Sequence, residues 1–158
     1  MTGTPTVRYV ARNRKALHDY FILQRFEAGI VLLGTEVKSV RIGAVSLRES
    51  YALVEKGEVW LHNLKIALYD HRGYTEHEPR RRRKLLLQER EIRKITHQMM
   101  EKGLALIPLA LYFKGPYLKV ELALVRGKRQ YDKRAQKEKV QMQRDLDREI
   151  KDHYRIKS

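Results

Sequence analysis

Cysteine is absent from the 158 residues, so disulfides and thiolate metal sites are excluded, as suits a reducing cytoplasm. Long apolar runs are missing too. Nothing approaches the roughly 18 to 20 consecutive apolar residues of a spanning helix, and Met1 to Val10 lacks the apolar core of a secretory signal; a soluble, cytoplasmic protein is expected. Acidic residues are few: 19 stand against 34 Lys and Arg, a formal charge of +15. Such a balance calls for a polyanionic partner, nucleic acid before an anionic membrane.

Catalytic patterns are missing as well. None of His18, His62, His71, His77, His97 and His153 pairs with another at helical metal-ligand spacing. No Gly-rich phosphate loop or nucleophile elbow occurs, and there is no Cys to form a covalent intermediate. No enzyme activity, metal or cofactor is expected. His18 and Asp19 are adjacent, but read as strand residues they would point to opposite faces.

What is present reads mainly as strands. Tyr20, Ile22 and Phe26 share a face of a first strand, Gly29 breaks it, and Ile30 to Leu33 form a short buried second strand. Tyr51 to Glu55 and Val59 to Ile66 flank a hairpin turn at Lys56-Gly57. Leu104 to Phe113 and Tyr117 to Arg126 flank a second at Lys114-Gly115-Pro116. In the last strand Leu118, Val120, Leu122 and Leu124 alternate with a mixed face. Three helical pieces interrupt these six strands. One follows Gly34, with Thr35 as N-cap, Glu36 in the first turn and Gly43 as its stop. Another begins after Pro79 and carries Arg80 to Lys84 into Leu85-Leu86-Leu87. The third runs from about Gln88 to Lys102, its Ile92, Ile95 and Met99 packing on the strands. The pattern suggests a mainly β chain with short α-helices: a small antiparallel barrel of which the oligonucleotide-binding fold is the commonest RNA-binding example.

Composition changes after Arg126. Residues 1–126 form the body and residues 127–158 a tail with 11 Lys or Arg against 6 Asp or Glu, a net +5 that leaves +10 to the body. In the tail Met142, Leu146, Ile150 and Tyr154 recur every four residues among opposite charges. A helix there has too little apolar surface to stand free in water. The expected tail is disordered when free and helical when a polyanionic surface accepts it. In the body, Arg80 to Lys84 and the cluster Arg8, Arg12, Arg14 and Lys15 are the candidate phosphate contacts. Such contacts supply affinity and orientation, while splayed bases are read by hydrogen bonds and stacking.

Several runs occur in a telling order: Asn13-Arg14-Lys15-Ala16 leading to His18-Asp19-Tyr20, Phe26-Glu27-Ala28-Gly29-Ile30, and Gly34-Thr35-Glu36-Val37-Lys38-Ser39 with Arg41 and Gly43. After them come Arg83-Lys84-Leu85-Leu86-Leu87, then Gly127-Lys128 with Tyr131-Asp132-Lys133-Arg134. The ordered set resembles the small protein B, or SsrA-binding, family of bacterial trans-translation across nearly the whole chain. The resemblance implies an oligonucleotide-binding-type, six-stranded barrel with about three helices. It implies binding to the tRNA-like domain of transfer-messenger RNA and delivery of that RNA to stalled ribosomes, with the tail in the vacant messenger channel. It ties Asn13, His18, Glu27 and Leu86 to RNA binding, alongside Arg14, Lys15, Glu36, Lys38, Arg81, Arg83 and Lys84. Gly127 and Lys128 match the hinge into the tail, and Asp132, Lys133 and Arg134 the segment linked to tagging. Tyr131 stands where other members can carry His. A monomer bound to RNA is expected; the alternative is a ribosomal structural protein or general RNA chaperone.

Overall fold

The computed structural model describes residues 6–68, 78–101, 103–128, 144 and 148. Contacts cluster the chain into two units, Met1–Arg126 and Gly127–Ser158. In the second, Gly127 ends a strand and Lys128, Arg144 and Arg148 are helical. The expected coupling of tail folding to binding otherwise falls outside the described residues.

The first unit opens with β1 (Val7–Arg12), α1 (Arg14–Asp19), β2 (Tyr20–Ile30), α2 (Gly34–Arg41) and β3 (Val45–Ser46). It continues through β4 (Tyr51–Glu55), β5 (Glu58–His62), β6 (Lys65–Ile66), β7 (Arg83–Leu86), α3 (Glu89–Gln98), β8 (Leu104–Lys114) and β9 (Tyr117–Gly127). The sheet order is β1-β8-β4-β5-β7-β2-β9, and the further pairing of β8 with β9 closes six strands into a ring. Closure removes the open edges that would otherwise template aggregation. The expected six-stranded barrel with three helices is therefore the fold, although one of its strands differs from the expectation.

That strand is β7. Arg83–Leu86, expected to be helical, is extended and lies between β5 and β2, with Val59 opposite Leu85 and Gly29 opposite Leu86. The Arg80 to Leu87 composition conceals this, because the inward Arg83 meets an internal carboxylate and so occupies a core position an apolar residue would normally mark. Conversely Val31 and Leu33 are each 46% exposed and lie outside any strand. Gly29 does not break β2. It sits within the strand, where a Cβ would come 3.3 Å from the Leu86 Cβ, the close approach for which a strand glycine is suited.

Both hairpins form as expected. Lys56 and Gly57 have φ of 50° and 77°, the two left-handed residues of a type I′ turn that matches strand twist. Gly115 has φ 59° ahead of Pro116, and Lys114 pairs with Tyr117. Inside the ring, Phe26, Ala28, Val59, Leu61, Leu85 and Leu122 share a core with residues from other strands. Burial of each large side chain contributes about 1.5 to 3 kcal/mol. α2 adds Val40, β6 adds Ile66, and Leu47 and Leu64 beside the β3–β6 pair join the same core, while α3 contributes Ile95 with Ile92 and Met99 against it.

β8 changes phase at a bulge between Pro108 and Ala110, where a residue without an N–H is tolerated. Its other face joins Ala16, Ala123 and Val125 in a second cluster beneath α1. That helix was not expected, since its six residues carry no long periodic pattern and would be marginal alone. Asn13 stabilises it. The Asn13 Oδ1 accepts from the Ala16 N–H at 3.1 Å, and Nδ2 donates to the Pro108 carbonyl at 3.1 Å and to that of Leu47 at 3.5 Å.

Candidate nucleic-acid interface

Along β2, Phe26 and Ala28 point inward, so strand alternation turns Glu27 and Gly29 outward. Leu86 covers Gly29 from β7 and remains 52% exposed. The barrel thus places Glu27 and Leu86 on one outer face although they are 59 positions apart. Glu27 is oriented by two groups that sequence reasoning did not connect to it. The Tyr112 hydroxyl donates to its Oε2 at 2.5 Å, and Lys114 Nζ lies 3.3 Å from Oε1. The hydrogen bond from Tyr112 holds the carboxyl below its ordinary value, against burial and with help from Lys114 and Lys119. Burial and the same bond to Glu27 raise the Tyr112 phenol. An ionised carboxylate thereby stands fixed on the surface with acceptor capacity left for a base amino group or a 2′-hydroxyl. Tyr9 packs beside Tyr112 at 5.5 Å, and Arg12 lies 4.0 Å above the Tyr9 ring. β1 brings these residues here; without it in the expected strand set they could not be located.

α1 carries Arg14, Lys15 and His18 outward, all exposed. His18 Nδ1 is 3.2 Å from Asp19 Oδ1, so these neighbours do meet, because they end a helix and do not lie in a strand. Lys38 is exposed on α2. Asn13 is different: its amide is occupied by the contacts that hold α1, which makes it a positioning group for the basic residues that follow.

The Arg80 to Lys84 run, the densest charge in the chain, is largely matched inside the protein. Extended backbone alternates its side chains. Arg83 is fully buried, its Nε donating to Glu36 Oε2 at 2.6 Å and its Nη1 to the Leu64 carbonyl at 2.6 Å. Arg81 pairs with the other oxygen of Glu36. Outward, Arg82 lies 4.2 Å above the Trp60 ring and meets Glu55 at 2.5 Å, while Lys84 is 3.3 Å from Glu58. Arg80 donates to Asn63 Oδ1 at 2.9 Å. Glu36 is also fully buried and accepts from the Leu33 N–H at 2.8 Å, closing the first turn of α2. Leu33 is therefore the N-cap, and not Thr35. Burial opposes ionisation of Glu36, but Arg81, the Leu33 N–H and Arg83 outweigh it and lower its pKa. Burial also lowers that of Arg83, partly offset by Glu36. Glu36 and Arg83 consequently present no side-chain surface to a ligand; they brace α2 against β7. Arg81 and Lys84 remain partly exposed.

Gly127 is the last residue of β9 and Lys128 follows it; Tyr131, Asp132, Lys133 and Arg134 lie outside the described residues. Among the described residues no group of three or more His, Asp or Glu is arranged to hold a metal, and no helix is long and apolar enough to cross a membrane.

A family model described as SmpB protein matches residues 10–152. The chain is 50% identical over 147 residues to the SsrA-binding protein of Carboxydothermus hydrogenoformans, covering 93% of this chain and 99% of that one. To the SsrA-binding protein of Syntrophobacter fumaroxidans it is 56% identical over 141 residues, 89% and 88% of the two chains. A chain of the solved structure described as "tmRNA-SmpB: a journey to the center of the bacterial ribosome" superposes with a TM-score of 0.65 at 50% identity, covering 75% of this chain and 83% of that chain.

Proposed function

This chain belongs to the SmpB protein family, and from that premise we propose how its surface serves the family's task. It binds transfer-messenger RNA, the SsrA RNA, and acts with it in trans-translation on the ribosome. The observation that carries this function is near-full-length identity of about half to SsrA-binding proteins, joined to the structural match with tmRNA-SmpB.

The division of labour is our reading. The outer face with Glu27 and Leu86, together with Arg14, Lys15 and His18 on α1, grips the tRNA-like domain, and Lys38, Arg81 and Lys84 add electrostatic attraction. Asn13, Glu36 and Arg83 act from inside by holding α1, α2 and β7 in place. The loaded RNA is delivered to stalled ribosomes. There the tail, from Gly127 and Lys128 through Tyr131, Asp132, Lys133 and Arg134, probes the vacant messenger channel in place of codon recognition. No bond is made or broken by the protein, which works as a cytoplasmic monomer on its RNA.

Sequencing the RNA that copurifies with the protein tests this. Strong enrichment of transfer-messenger RNA over bulk transfer RNA at fixed salt is expected. Equal recovery of unrelated RNAs would instead indicate a general RNA chaperone or a ribosomal structural protein.

A further inference from the structure

The first turn of α1 separates two concavities with opposite chemistry. On one side a groove of about 460 Å³ is lined by Arg12, Arg14, Lys15 and Arg48, with no acidic residue in its wall. Among the described residues none of Arg14, Lys15 and Arg48 is in an ion pair. On the other side a pocket of about 270 Å³ has Tyr20 and Tyr51 with Asp19 and Glu49 in its wall and Ala105 and Ile107 beneath. Asn13 and Lys15 border both. A polyanion's phosphates suit the groove. The pocket suits a flat, partly apolar group bearing hydrogen-bond donors, and it is smaller than the roughly 300 to 1,000 Å³ typical of drug-sized ligands.

The wall between β3 and β4 is fastened in advance. The Ser50 Oγ donates to the Leu47 carbonyl at 2.5 Å, and Asn13 reaches the same carbonyl at 3.5 Å. Glu49 has φ 62°, a left-handed backbone uncommon for a glutamate. Asn63 Nδ2 holds its carbonyl at 3.0 Å, and Arg80 in turn donates to Asn63. A loop held this way loses little further freedom when a ligand enters.

We propose that this pocket and groove together bind one unstacked guanine nucleotide, the base lying beside Tyr20 and against Tyr51, whose ring is already stacked on His62 at 5.4 Å, and the flanking phosphates along Arg14, Lys15 and Arg48. Carboxylates only accept hydrogen bonds. Guanine presents two adjacent donors, its ring N–H and exocyclic amino group, whereas uracil turns carbonyl oxygens towards any carboxylate that meets its single N–H. Adenine and cytosine pair an amino donor with a ring acceptor, which a carboxylate opposes. Glu49 is thus a specificity residue and Arg48 a backbone contact. The inference rests on the RNA-binding function above and names the nucleotide this part of the surface takes.

The test uses the full chain and four RNA hairpins identical except for one unpaired loop nucleotide. Titrated by fluorescence anisotropy, the guanosine hairpin binds about tenfold more tightly than the others, as one bidentate contact allows. Glu49→Gln removes that preference, and inosine in place of guanosine, which lacks the exocyclic amino group, loses part of it. Arg48→Ala weakens all four hairpins alike and lowers the salt slope of binding by about 1. Equal affinities in the wild type, or a preference that survives Glu49→Gln, overturn the proposal. Selectivity for transfer-messenger RNA over bulk transfer RNA is measured alongside. If that selectivity holds while the hairpins are indistinguishable, only the pocket assignment falls. If it fails, the functional reading falls and the hairpin series still decides the pocket.

Discussion

Glu36 stands alone between two guanidinium groups, one of them inaccessible to water. Replacing it with alanine strands Arg83 as an uncompensated buried cation, which should cost about 3 to 5 kcal/mol. Urea denaturation should show this as a lower midpoint at similar slope. Because the folded-state pKa of Glu36 is depressed, its stabilising contribution is complete above the ordinary glutamate value and is lost as pH falls through the lower folded value. Denaturation midpoints measured down that range should therefore fall less steeply for Glu36→Gln than for the wild type. Glu27 differs because it lies at the surface. Glu27→Ala removes an acceptor offered to RNA and the partner of the Tyr112 hydroxyl, so it should weaken binding to transfer-messenger RNA and lower the thermal midpoint modestly while the chain still folds. An unaltered dissociation constant would separate this residue from recognition.

At the scale of an element, α1 shows how a short helix is made by its surroundings. Ala16 is its one buried residue, and Asn13 joins it to the β8 carbonyl of Pro108. Asn13→Ala should cost about 1 kcal/mol through loss of the cap. Amides of residues 16–19 should exchange faster with solvent, and RNA affinity should fall through disorder of Arg14 and Lys15. Asn13→Asp keeps the capping oxygen but turns an acceptor-only carboxylate onto the Pro108 and Leu47 carbonyls, so it should destabilise at least as much as Asn13→Ala. β7 illustrates the converse. Five adjacent cations look like a solvated helix in one dimension, yet the backbone of Arg81 to Lys84 sends alternate members to Glu36 and to outward partners on β4 and β5, while Arg80 in the preceding turn reaches Asn63.

For the whole molecule, the change in composition after Arg126 predicts a separation of tasks. A chain truncated there should keep most of its affinity for transfer-messenger RNA and lose tagging of nascent chains in a reconstituted translation system; lost RNA affinity would contradict the division. Much of the architecture was open to inference from the chain alone. Alternation in β9 and the Lys56-Gly57 and Gly115-Pro116 turns are local signals, set by a strand period of two and by left-handed backbone. Net charge, indifferent to fold, identified the class of partner, and the ordered motifs identified the family. Tertiary structure decided which charges are available. Arg83 and Glu36 resemble surface residues in sequence, but barrel closure brings them together across 47 positions inside the protein. Glu27 acquires Tyr112 and Lys114 only because β8 and β2 flank β9 in the closed ring. Sequence determines the inventory and periodicity of side chains, whereas pairing between distant strands determines which meet each other and which are left to meet RNA.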